Sequence, residues 1–151
     1  MRPRVDHVEL TVQDLDRAEA FYDALLPLLG FRLEWKSRED VPEREYIEID
    51  YPTSDFSLGL VCPRPALTGD AVCRRRPGAL HHLAFGTGSR EEVDQLYRAV
   101  RALPGVRIRI PPRFYPEYAV GYYAFFFYDT EGIELEIVHF DRPSYFPPQE
   151  D

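Results

Sequence analysis

The sequence predicts an α+β fold made of two βαβββ modules, and three observations lead there. The first is an internal repeat. At one constant register, without a gap, His7 falls on His82, Tyr22 on Tyr97 and Gly30 on Gly105. The second is apolar/polar alternation in short runs, the mark of half-buried strands. The third is one segment of helical period in each half, each closed by a glycine.

The elements follow in order. Residues 5–12 alternate, with Val8, Leu10 and Val12 on one face and His7, Glu9 and Thr11 on the other. Residues 14–29 read as a helix. Asp14 is its N-cap, Ala18, Phe21, Leu25 and Leu28 form its apolar face, Pro27 distorts its last turn and Gly30 stops it. Strands are expected at 31–37, 45–50 and 56–62. In the second half a strand covers 80–85, and a helix at 90–103 opens on Ser89 and Glu92 and closes at Pro104-Gly105. Strands then cover 106–110, 122–128 and 133–139. The chain is expected to be one domain over 1–151, with modules 5–62 and 80–140 joined by a Pro/Arg/Gly-rich linker, 63–79. Residues 111–120 read as a loop, and the proline-bearing tail from 141 as extended.

Composition narrows the function. The chain has 151 residues, 14% of them aromatic, which is ample for a core. The net charge is −8, against a nucleic-acid binder, and Arg74-Arg75-Arg76 reads as a solvated linker. No apolar run is long enough to cross a membrane, and the N-terminus does not read as a signal peptide, so a cytoplasmic location is expected. Cys62 and Cys73 form neither a disulfide framework nor a metal spacing.

Chemistry is expected where polar side chains leave the helix-covered face. His7 and His82 occupy equivalent strand positions, and Glu136 is a carboxylate in an otherwise apolar strand. If each sheet curls away from its helix, the two face each other and these three side chains meet. Two imidazoles and a carboxylate suit one divalent metal ion (Fe, Zn, Ni, Mn or Mg) with positions left open for substrate. The repeat places Gly59 opposite Glu136, so no fourth ligand is expected there. His81 and His139 fall on the opposite faces and read as structural, and Glu134 as a salt-bridging residue. Glu9, on the face of His7, is the candidate general base. Of the aromatic run 122–128, alternation leaves open which set faces a ligand. Tyr123, Arg113 and Tyr118 are the candidate substrate-binding residues, the last two in a lid-like loop.

Three stretches, VDHVELTVQDLDRAEAFY, HHLAF and YDTEGIELEIV, resemble the vicinal oxygen chelate superfamily of glyoxalases, bleomycin-resistance proteins and extradiol dioxygenases. Thr130 stands where that family's closing element usually has proline. The resemblance implies paired βαβββ modules in a cupped, barrel-like eight-stranded sheet with helices outside, around a metal held by His7, His82 and Glu136. It implies chelation of adjacent oxygens of a small organic substrate, hence a glyoxalase- or dioxygenase-like enzyme. A homodimer is the expected assembly, with the metal site closed either within one chain or with His7 and the His82/Glu136 pair from different subunits. Gly59 departs from the four-ligand members, Phe126 from the extradiol enzymes and Glu9 from the fosfomycin-modifying ones. The alternative it implies is a non-catalytic protein that sequesters a drug or metabolite.

Overall fold

The first and last strands of each half lie side by side and parallel, and this sets the topology. The structure, a computed structural model, describes residues 4–147. Its strands are β1 (His7–Thr11), β2 (Ser37–Val41), β3 (Tyr46–Pro52), β4 (Ser57–Val61), β5 (Leu83–Gly86), β6 (Arg107–Phe114), β7 (Tyr123–Tyr128) and β8 (Glu134–His139). The helices are α1 (Leu15–Leu25), α2 (Arg90–Val100) and the short α3 (Arg142–Tyr145). The fold class is α+β, with the strands hydrogen-bonded as two four-stranded sheets, β1-β4-β3-β2 and β5-β8-β7-β6. Among the described residues β1 and β5 are each an edge of their own sheet.

The chain divides into two units. One holds the first 73 residues with Leu103–Gly105 and Thr130–Gly132; the other holds Arg74–Ala102, Val106–Asp129 and the residues from Ile133 onward. In the first unit α1 covers one sheet face, burying Ala18, Phe21, Tyr22 and Leu25 with Ile49, Tyr51, Leu58 and Leu60. In the second, α2 covers β7 and β8, and Val93, Val100, Phe125, Phe127, Leu135 and Ile137 are fully buried. Burying a Leu, Ile or Phe side chain stabilises by roughly 1.5–3 kcal/mol, so these apolar layers hold each helix to its sheet.

The helix ends follow the sequence. Asp14 accepts from the Arg17 amide at 2.9 Å and Ser89 from the Glu92 amide at 3.2 Å. Residues 26–29 tighten into a 3-10 turn around Pro27. Gly105 has φ +79°, and a Cβ there would lie 2.6 Å from the Thr130 methyl, so both conformation and space demand glycine.

Three expectations change. Residues 33–35 form a 3-10 turn and the strand starts at Ser37. Its side chains are mostly exposed, so no apolar alternation marks it; instead Lys36 and Arg38 pair with Asp16, Glu19 and Asp23 on α1. Strand β6 continues to Phe114 through Pro111-Pro112, with register shifts between Ile108 and Ile110 and between Ile110 and Arg113; it is an edge strand, where a missing amide is tolerated. The tail contains α3 where an extended chain is expected, and residues 148–151 lie outside the described part.

Candidate functional site

The sheet face of the second unit that turns away from α2 carries the most concentrated polar chemistry. Strand register places Ala84, Glu136 and Phe126 on one rung across β5, β8 and β7. Glu136 is 2% exposed. A carboxylate so deeply buried is costly unless its oxygens are bonded, and both are. The Tyr122 hydroxyl donates to Oε1 at 2.6 Å, and His82 Nε2 lies 3.1 Å from Oε2. Burial pushes the Glu136 carboxyl above its usual range, while Tyr122 and His82 pull it back. Burial, and after it the same carboxylate, raises the Tyr122 hydroxyl well above its ordinary value.

A directed chain of hydrogen bonds runs from this carboxylate. His81 Nδ1 and His82 Nδ1 are 2.7 Å apart, and Arg74 Nη1 lies 3.2 Å from His81 Nε2. Arginine only donates, so His81 Nε2 accepts and its proton sits on Nδ1. His81 therefore donates to His82 Nδ1, and His82 donates from Nε2 to Glu136. Every group finds a partner with both rings neutral. Burial and the Arg74 charge lower the His81 pKa, in keeping with this.

Beside the chain, Glu134 is buried and ion-paired with Arg74 at 2.5 Å and Arg109 at 3.4 Å. These residues line a cavity of about 570 Å³ together with Arg113, Tyr115, Tyr118 and Tyr122. Tyr115 and Tyr118 stack at 5.5 Å, and the Arg113 guanidinium lies 4.2 Å over the Tyr115 ring.

The equivalent face of the first unit is acidic. Glu9 pairs in register with Gly59, and Gly59 with Asp50. Tyr46 donates to Glu48 at 3.2 Å and to Glu9 at 3.4 Å. Burial, then its acidic neighbours, push the Tyr46 hydroxyl up to about 12 and the Glu48 carboxyl above its usual range. Asp50 is raised chiefly by burial. His7 is exposed and held by Asp6 at 3.0 Å, a contact that raises its pKa. At Gly59 a Cβ would lie 2.9 Å from Glu9 Cγ, so the glycine makes room for Glu9.

The structure thus brings His82 and Glu136 together and puts Arg113 and Tyr118 on the cavity beside them. His7 and Glu9 lie in the first unit. Among the described residues no three His, Cys, Asp or Glu side chains converge as a metal-holding group. Tyr123 lies on the α2 side of its sheet, bonded to Asp94 at 2.9 Å, and does not line the cavity; Tyr122 does. Register decides between the two, since Phe126 rather than Phe125 or Phe127 shares the rung of Glu136. Sequence reasoning missed Arg74, Arg109 and His81. Arg74 is not a solvated linker residue but the partner of a buried carboxylate. The one available signal was Glu134, a second acid in an apolar strand that needed a cation.

This fold and site define a member of the glyoxalase class. The chain belongs to the Glyoxalase/Bleomycin resistance protein/Dioxygenase superfamily, which it matches over residues 4–137. It is 30% identical to the uncharacterized protein YqjT of Bacillus subtilis (strain 168) over 134 residues, 87% of this chain and 95% of that protein. A glyoxylase/bleomycin resistance protein/dioxygenase domain from Frankia sp. EAN1pec superposes with a TM-score of 0.70 at 25% identity, covering 92% of this chain and 98% of that one. The fosfomycin resistance protein FosX of Listeria monocytogenes, solved with Mn(II) and a sulfate ion, shares the fold, with a TM-score of 0.61 at 18% identity over 93% and 94% of the two chains. No helix among the described residues is long and apolar enough to cross a membrane.

Proposed function

We propose that the chain is a metal-dependent enzyme that binds adjacent oxygens of a small organic substrate at a site supplied by His82, Glu136 and His7. One observation carries this reading: His82 Nε2 and Glu136 Oε2 are 3.1 Å apart, each braced from behind. Two donors on one ion, with bonds of about 2.1 Å, lie roughly 3 Å from each other. The donor chemistry of this pair fits a divalent cation. The third proposed donor, His7, lies in the first unit and is exposed. FosX, which shares the fold at 18% identity, was solved with Mn(II), and this supports the reading.

When bound, the ion supplies Lewis acidity toward substrate oxygens. The chain's own residues supply the rest. Tyr122 anchors one oxygen of Glu136, so the other keeps a set direction. His81 fixes the orientation of the His82 ring. The Tyr115, Tyr118 and Phe126 rings give the substrate an apolar wall. Glu9 is the proposed proton acceptor of the first unit, and its exposure leaves it free to exchange protons with water.

Elemental analysis of protein purified without chelator tests this, beside the His82→Ala and His7→Ala variants. The expected result is about one divalent ion per chain, lost in both variants. A protein that holds no metal and cannot be reconstituted overturns the reading and favours a protein that sequesters its ligand without turnover.

A further inference from the structure

The cavity of the second unit carries a charge balance opposite to that of the whole chain. The chain has a net charge of −8. Yet Arg74, Arg109 and Arg113 line this one cavity, facing only Glu134 and Glu136. Glu136 is already bonded to Tyr122 and His82. Glu134 alone serves both Arg74 and Arg109. Arg113 makes no ion pair among the described residues; the Tyr115 side chain is its main polar neighbour, and Glu117 acts on it only through space. Its guanidinium carbon lies 4.2 Å from the centre of the Tyr115 ring, and Tyr115 stacks on Tyr118. A guanidinium held over a ring and paired with no carboxylate still has five N–H donors in a planar fork, more than one phenol oxygen can take up, and can offer a pair of them to a forked acceptor.

We propose that this cavity takes a small organic oxyanion, a carboxylate or phosphonate on an aromatic or apolar body, and that Arg113 is its charge partner. The inference rests on the reading above only in taking this cavity as the substrate's seat. Two features of the site specify the ligand. The excess of guanidinium over carboxylate sets the sign of its charge, and the planar fork of Arg113 matches two oxygens on one centre. The rings of Tyr115, Tyr118, Tyr122 and Phe126 form the remaining wall and accept a flat or apolar body. The same balance disfavours a cationic ligand, because a cation would displace no water from an unpaired acid and would face three guanidiniums.

The test uses metal-stripped full-length protein and four probes that share a phenyl ring: benzoate, phenylphosphonate, neutral benzamide and cationic benzamidine. Binding is followed by backbone amide shifts in a titration. Benzoate and phenylphosphonate are expected to bind saturably and to move the signals of Arg113, Tyr118 and Tyr122. Benzamide binds about tenfold more weakly, and benzamidine does not bind. Arg113→Gln weakens both anions about tenfold and leaves benzamide unchanged, as loss of a charge-assisted bond requires; Arg113→Lys retains part of the anion affinity. Arg113 is exposed, so its variants fold, and their spectra check this directly. Equal binding of all four probes overturns the proposal, as does tightest binding of benzamidine, or an Arg113→Gln protein that is folded and binds anions as before. Because no metal is present, the two readings fail separately: anion binding by a protein that never holds metal sinks only the metalloenzyme, and metal binding without anion preference sinks only the oxyanion.

Discussion

Glu9 lies beside Gly59 in the first unit, and Ala84 lies beside Glu136 in the second. The two pairs occupy the same rung of two sheets with the same order and parallel register. In one the carboxylate comes from the first strand of the unit, in the other from the last. Each time its neighbour across the ladder is small, and at Gly59 the reason is steric, since a Cβ would meet Glu9 Cγ at 2.9 Å. The space beside Gly59 is therefore occupied by the side chain of another acid, Glu9. The surroundings differ too. Glu136 and Glu134 are bonded by a phenol, an imidazole and two guanidiniums. Among the described residues Glu9, Glu48 and Asp50 have Tyr46, Ser57 and an exposed His7 around them, and Glu48 and Asp50 are raised first by burial and then by the charge of Glu9. One repeat thus carries acids whose charge is compensated, the other acids whose charge is crowded.

The comparison breaks first at the compensated acids. Replacing both Arg74 and Arg109 by alanine leaves Glu134 buried without a cation. This is expected to cost about 3 kcal/mol in urea unfolding, as for other buried pairs stripped of a partner. A loss below about 0.5 kcal/mol, the size of an ordinary surface change, would mean that the carboxylate finds other compensation. Next is the steric exchange on the shared rung. Gly59→Ala is expected to cost about 1 kcal/mol, the low end for overpacking, because Glu9 must move. In a Glu9→Ala background the same change costs almost nothing, so the double-mutant cycle reads the coupling. Additive effects would refute the exchange.

The smallest effect sharpens the contrast in charge. Glu48 has a folded-state pKa above its unfolded value, first by burial and then by the charge of Glu9. A raised carboxyl favours folding at low pH and loses that contribution as pH rises through the folded pKa. Glu48→Gln should therefore raise the melting temperature by roughly 1–2 °C at pH 8 and leave it unchanged near pH 4, as a small stability shift in a chain of this size does. A larger gain at pH 4 than at pH 8 would reverse the sign of the argument.

Much of this was legible in the sequence. Helix caps, the repeat and the face carrying His82 and Glu136 follow from spacing, because caps and alternation are local. Strand β2 was not legible, since charged side chains that pair with α1 leave no apolar period. Tyr122 was hidden because its strand is aromatic on both faces, and only the pairing of Phe126 with Glu136 separates them. Arg74 and Arg109 were hidden because a distant ion pair has no spacing to detect.

The edges formed by β2 and β6 carry a further consequence. Strands β2 and β6 each end their sheet, where free amides and carbonyls would template another chain. Strand β2 shows Arg38, Glu39 and Asp40 along its length, and β6 has Pro111-Pro112, which have no amide to donate, between Arg109 and Arg113. Neither edge offers an apolar ribbon for fibrillar growth. Replacing those prolines or that charge would be felt first as aggregation during expression, before any loss at the cavity.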